Sequence, residues 1–415
     1  MCFTSRPQEE AGMAKKNKRS VFGPGFLVTA AFIGPGTVTS CSLAGAQFGY
    51  TLIFALIFAV VTTLILQEMT GRLSLASGYD LGQSLREFPK SRATKILFTL
   101  LTLSSITFGC AAYEAGNLVG GALGLEMVSP LQKKIWVLAI SLTAVFILSQ
   151  KKYRIVEKIL IFLVFFMSLS FLVTLILVKP DLSSILKGML PTFPDKSFYL
   201  VLALVGTTVV PYNLFLHSST VKEKWTKKED LKEVKTDLLA SVGLGGLISA
   251  SIVVTSAVAF YDKGISLESG AQMAEQLKPL FGSFTNLLFG LGFFAAGLSS
   301  AITAPYAAAF ASSGILGWKG GHKAGKFRAI WMGVIATGLA VSMFDFNPLA
   351  LIVFAQVANG LVLPVASIFL LVVLNNHQKM GEMANNPVQN IVGSFVILLV
   401  SFLGIWNILK LFLKN

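Results

Sequence analysis

The sequence predicts an all-α integral membrane protein. About eleven helices span the bilayer, spans 1–5 and 6–10 form an inverted repeat, and an eleventh is added at the end. Three observations predict this. The 415-residue chain is 54% hydrophobic and 13% charged, whereas a soluble domain carries about a quarter charged residues. Its apolar residues gather into runs of the roughly 20 residues that cross a bilayer. Two of those runs, five spans apart, are each interrupted by a helix-breaking motif.

The runs lie at about 24–47, 51–69, 96–125, 135–150, 156–178, 198–219, 237–260, 279–315, 328–344, 348–374 and 388–412. The eighth contains Pro305 but is too short for two spans plus a turn, so it is read as one long or tilted helix. Residues 21–415 make a single membrane domain after a polar tail, residues 1–20. No cleavable signal peptide is evident, and Met13, before Ala14-Lys15-Lys16, is a candidate translation start.

The first interrupted run carries Gly34-Pro35-Gly36-Thr37 and the sixth carries Val210-Pro211-Tyr212-Asn213. Proline removes a backbone donor and clashes with the preceding turn, and glycine is permissive. Pro35, Gly36 and Pro211 are therefore the expected breaks. Unwound backbone at membrane depth survives only where it is buried in protein or lines a cavity. A matched pair of interrupted spans, one in each half, marks a transporter's substrate site. Five spans is an odd number, so the second half enters from the opposite side, which makes the repeat inverted. A packing kink is the duller reading, and the second break weighs against it. Neither motif contains a carboxylate.

The net charge of +14, from 34 Lys and Arg against 20 Asp and Glu, could suggest nucleic acid. Its placement argues for topology instead. Lys15, Lys16, Lys18 and Arg19 sit in the tail. Lys222, Lys224, Lys227, Lys228, Lys232 and Lys235 follow the sixth run, and Lys319, Lys323, Lys326 and Arg328 follow the eighth. With eleven spans all lie on one side, which the positive-inside bias makes cytoplasmic, together with the N-terminus of a plasma-membrane protein. Cys2, Cys41 and Cys110 match no metal or redox spacing and read as small apolar fillers. Glu68 and Arg72, four apart, read as a local ion pair. His322 and His377 fall in loops. No nucleophile–base set or metal-ligand cluster suggests an enzyme, and no protein partner is evident.

The segment from Gly206 to Ser218, Gly-Thr-Thr-Val-Val-Pro-Tyr-Asn-Leu-Phe-Leu-His-Ser, resembles the sixth-helix signature of the Nramp divalent-metal transporters, G-A-T-V-M-P-H-N-L-Y-L-H-S. Gly78-Tyr79-Asp80-Leu81, Ala296-Gly297-Leu298-Ser299-Ser300, Gln356-Val357 and Met380-Gly381-Glu382 extend the resemblance over about residues 20–412. It implies a LeuT-type fold and movement of divalent cations by alternating access. It also implies a site formed by Gly34, Thr37, Thr207, Val210, Tyr212 and Gln356, with Glu114 and His217 as remnants of a proton route.

The chain departs from that pattern at its centre. Gly34 and Thr37 stand where the family has its ligand Asp and Asn. Val210 replaces a thioether Met, Tyr212 a His, and Thr207 the Ala whose carbonyl reaches the metal. Ala111 stands at the third-helix Asp of the proton route. A carboxylate supplies charge and helps strip water from an ion, and a thioether favours softer metals. Hydroxyls, amides and carbonyls suit Mg²⁺, which dehydrates reluctantly and keeps several waters. The pattern resembles the Nramp-related magnesium transporters, with Mg²⁺ the expected cargo, Mn²⁺ a second, no separate cofactor and no proton coupling. A proton-coupled Mn²⁺/Fe²⁺ importer and a LeuT-fold organic-solute symporter are the alternatives. At single positions, Thr37 either bonds its own helix or lines the site. Tyr212 is an interior aromatic or a site wall, and Gln356 requires a partner in so apolar a stretch. Restoring the lost ligands with Gly34→Asp plus Val210→Met is expected to shift preference from Mg²⁺ toward Mn²⁺ in competitive uptake. An unchanged ratio would count against a ligand-chemistry origin of selectivity.

Overall fold

The structure, a computed structural model, describes residues 23–25, 33–89, 91–150, 154–318 and 324–413. In its described residues every apolar run is mainly helical, and the described residues contain no strand. The long helices are α1 (Pro35–Phe48), α2 (Ile53–Ser77), α3 (Arg92–Glu126), α4 (Lys133–Ser149), α5 (Arg154–Val178), α6 (Phe198–Thr208), α7 (Pro211–Lys224), α8 (Leu231–Ala259), α9 (Thr285–Leu316), α10 (Gly325–Ser342), α11 (Pro348–Leu374) and α12 (Pro387–Leu413). The sixth run supplies two of them, α6 and α7. Among the described residues eight helical stretches are long and apolar enough to cross a membrane. The three other runs give the shorter α1, α4 and α10, of 14, 17 and 18 residues. The eighth run is one helix of 32 residues that contains Pro305 and ends at Gly317 in the left-handed conformation.

The helices group by contact. The central helix α3 lies against α4, α9, α10 and α11, while α8 packs on α1 and α2, and α7 on α2. Between the two groups, α11 touches α3, α6 and α1. Lipid gives apolar side chains no reason to leave it, so close helix packing depends on small residues that let backbones approach. Gly116, Gly120 and Gly124 recur every fourth residue along α3. Gly116 faces Ala355 and Ile352 of α11, Gly120 faces Pro35, and Gly124 faces the Gly290 carbonyl of α9. Two turns further along α9, a Cβ on Gly297 would fall on the Gly121 backbone.

A polar seam joins α2 to the two halves of the sixth span. Thr63 donates to the Thr208 carbonyl at 3.4 Å, Thr70 Oγ1 and His217 Nδ1 are 2.9 Å apart, and Ser74 donates to the Ser218 carbonyl at 2.7 Å. At that end of the bundle Asp80 caps the short helix Leu81–Glu87, and Lys222 donates to Gln83 Oε1 at 2.7 Å. Arg72 and Glu68 form the expected ion pair at 3.2 Å. The buried guanidinium also donates to the Met383 carbonyl, Asn385 and Gln389, just before and within α12. Cys41 and Cys110 are buried free thiols. Cys2, Met13 and His322 lie outside the described residues, and His377 opens the short helix His377–Met380.

Gly297→Leu is expected to destabilise the fold by about 1–3 kcal/mol or more through overpacking against α3. Gly333→Leu on α10, where a Cβ meets nothing within 4 Å, serves as the matched control. Thermal melts in detergent test the pair, and equal melting temperatures would show that the α3–α9 contact does not limit stability.

Candidate cation site

Both interrupted runs are broken in the structure. Ile33 and Gly34 form a bend, with Gly34 extended at φ −126°, ψ −173°, and α1 begins at Pro35. In the sixth span α6 stops at Thr208, Val209 and Val210 are non-helical, and α7 begins at Pro211. Each proline is thus the first residue of the helix that follows. Its missing N–H costs nothing there and its fixed φ already suits the helix. The open backbone lies just before each proline. At the second break it places the negative end of the α6 dipole against the positive end of α7.

Gly36, expected as part of the first break, is instead the second residue of α1. It is small for a different reason, since a Cβ there would collide with the side chain of Gln356. Gly206 of α6 makes the same approach to the Gln356 main chain, where a Cβ would strike the carbonyl oxygen. Gln356 is therefore gripped between two glycines, one from each broken span. Its Nε2 donates to the Ile352 carbonyl at 3.1 Å, and its buried Oε1 has no hydrogen-bond partner among the described residues.

The two spans also touch directly. Thr37 Oγ1 and Thr207 Oγ1 are 2.8 Å apart and fully buried. Val210 and Tyr212 are buried at the second break. Tyr212 meets Tyr113 of α3 edge to face, with ring centroids 6.0 Å apart at 74°. A Cβ on Gly34 would stand 2.8 Å from Ser300 Oγ of α9 and 4.0 Å from the Tyr113 hydroxyl. The residues expected at the site thus gather around the breaks, and their polar groups are neutral. Among the described residues no three or more His, Cys, Asp and Glu side chains converge as a metal site.

Glu114 and His217 are placed differently. Glu114 is buried with its side chain against Gly338 of α10 and Asn117 as its polar neighbour. His217 is tied to Thr70 in the α2–α7 seam. Sequence reading does not single out Tyr113 or the clamp role of Gly206. A tyrosine in an apolar span looks like filler, and a glycine shows its reason only once its neighbour is known.

Over residues 25–410 the chain matches the Nramp family, described as natural resistance-associated macrophage protein-like. The chain belongs to the Nramp family. A curated relative, the divalent metal cation transporter MntH of Nostoc sp., is 30% identical over 403 residues, covering 94% of this Nramp chain and 90% of the relative. Among solved structures, a manganese transporter of Eremococcus coleocola superposes with a TM-score of 0.73 at 20% identity, over 92% of this chain and 84% of that one. Mhp1, a nucleobase-cation-symport-1 family transporter, gives 0.59 at 15% identity, over 94% and 93%. At such identities the likeness speaks to fold, and the fold of this Nramp member is of the LeuT type, as the resemblance implies.

Gly36→Ala is expected to push the Gln356 amide away and to weaken divalent-cation binding by about tenfold, the loss of one hydrogen-bonding contact or slightly more. Isothermal titration measures this, and unchanged affinity would place Gln356 outside the site.

Proposed function

We propose that this Nramp member carries divalent cations across the membrane by alternating access at its paired helix breaks. It prefers Mg²⁺ held through part of its water shell, carries Mn²⁺ second, and does not couple transport to protons. Family membership and the MntH relative support divalent-metal transport. The observation that carries the finer reading is the neutral set at the breaks, the Thr37–Thr207 hydroxyl pair and the Gln356 amide, with Gly34 and Val210 at the positions where the resemblance implies a carboxylate and a thioether. Such a site holds an ion with dipoles alone. It suits a cargo that arrives still hydrated, and it lacks the soft donor that would select Mn²⁺ or Fe²⁺ over Mg²⁺.

The absence of coupling rests on spacing. A proton relay through the membrane needs titratable groups in sequence. Position 111 is alanine, Glu114 packs against Gly338, and His217 bonds Thr70. The basic end of the bundle is assigned to the cytoplasm by the positive-inside bias. A proton-coupled Mn²⁺/Fe²⁺ importer is the second reading, in keeping with the fold shared with a manganese transporter. Mg²⁺ uptake into proteoliposomes, with an internal pH dye in the same vesicles, separates the two. The proposal expects Mg²⁺ entry without acidification. Mn²⁺ entry with acidification and no Mg²⁺ entry would replace it with the coupled reading.

A further inference from the structure

Tyr113 belongs to the scaffold helix α3 and is fully buried. Its hydroxyl reaches the first break, 4.0 Å from where a Cβ on Gly34 would stand, and lies beside Thr207 of the sixth span. Its ring fixes that of Tyr212 at the second break through the edge-to-face contact. One side chain thus touches both interrupted spans and the residue that replaces the family's histidine. The Tyr212 hydroxyl has no hydrogen-bond partner among the described residues, and the Tyr113 hydroxyl has only the Thr207 side chain beside it. Buried tyrosine hydroxyls ordinarily find a partner, so a Tyr212 hydroxyl without one, beside a second buried phenol that reaches the other break, points to a ligand. That ligand approaches past Gly34, which places no side chain between Ser300 and the Tyr113 hydroxyl.

We propose that Tyr113 and Tyr212 form a phenol pair that reads the water shell of the transported cation, each hydroxyl oxygen accepting a hydrogen bond from a cation-bound water. The inference rests on the Mg²⁺ reading and adds to it a specificity residue that the family signature does not include. The chemistry suits the task. Water on a divalent ion is polarised and donates strongly, and a neutral phenol oxygen on a rigid arm accepts without displacing it. A carboxylate at position 34 would compete for the metal directly. A cation stripped of its water would leave the Tyr212 phenol without a donor.

The test measures Mg²⁺ uptake kinetics in proteoliposomes for the wild type, Tyr113→Phe and Tyr212→Phe, with and without hexaamminecobalt(III). That complex is inert to ligand exchange, close in size to hydrated Mg²⁺, and carries N–H donors in place of water. The wild type is expected to be inhibited competitively. Each Phe variant removes one oxygen and leaves the ring in place. Each should raise KM for Mg²⁺ by about three- to tenfold, the worth of one hydrogen bond. The maximal rate should stay within about twofold, and inhibition by the cobalt complex should weaken by a similar factor. Unchanged KM and inhibition in Tyr113→Phe, in a protein whose Thr37→Ala variant does lose affinity, would make Tyr113 a packing residue and leave Mg²⁺ transport standing. A fall in maximal rate at constant KM would overturn the proposal in the same way. Mg²⁺ uptake indifferent to the cobalt complex would mean that the ion dehydrates, which ends the water-shell contact. Absence of Mg²⁺ uptake by the wild type would remove the transport reading and this inference with it.

Discussion

A polypeptide that unwinds inside a membrane must satisfy its freed backbone from within the protein, because lipid offers no hydrogen bonds. That constraint organises the rest of this molecule. It explains why the breaks at Gly34 and Val209–Val210 are buried within the protein and not against lipid, and why both are followed at once by a proline that starts the next helix. It also explains the small residues around them. Gly36 and Gly206 admit Gln356 between the broken spans, and Gly120 admits Pro35 against α3. Larger side chains at these positions would hold the spans apart and expose the opened backbone.

The electrostatic character of the site follows from the same arrangement. An unpaired buried carboxylate is expensive in a low-dielectric interior, and a site that binds with Asp bears that cost whenever it is empty. Here the two threonine hydroxyls are hydrogen-bonded to each other at 2.8 Å. The site can therefore close without a charge to compensate. The corresponding sacrifice is discrimination, since dipoles distinguish ions by size and hydration more than by softness.

Much of the architecture was legible in the chain. Helix periodicity is drowned in an apolar run, but run length alone placed each helix, and Pro35 and Pro211 located the breaks to within a residue or two. The reading went astray at Gly36, where a local rule about flexible glycine stood in for a contact with Gln356, some 320 positions away. Tyr113 escaped for a related reason: its meaning depends on facing Gly34 and Tyr212 together, and no local pattern encodes that. Glu68 and Arg72 were recognisable as a pair because they are one helical turn apart. The three further partners of Arg72 were not, because they lie more than 300 residues downstream.

Those downstream partners change the standing of the final helix. By repeat logic α12 is an appendage, since two five-helix units already complete the symmetry. Arg72 nonetheless draws on Met383, Asn385 and Gln389 in the segment that leads into α12, and its one carboxylate, Glu68, is shared with Lys235. A guanidinium buried to this degree has few alternatives: without that segment it would face the protein interior with half a counter-ion. The eleventh span is thus anchored to the second by a charge that cannot afford to let go. A shortened, perfectly symmetric ten-helix version of this chain would inherit an electrostatic defect from a residue that lies inside the repeat itself.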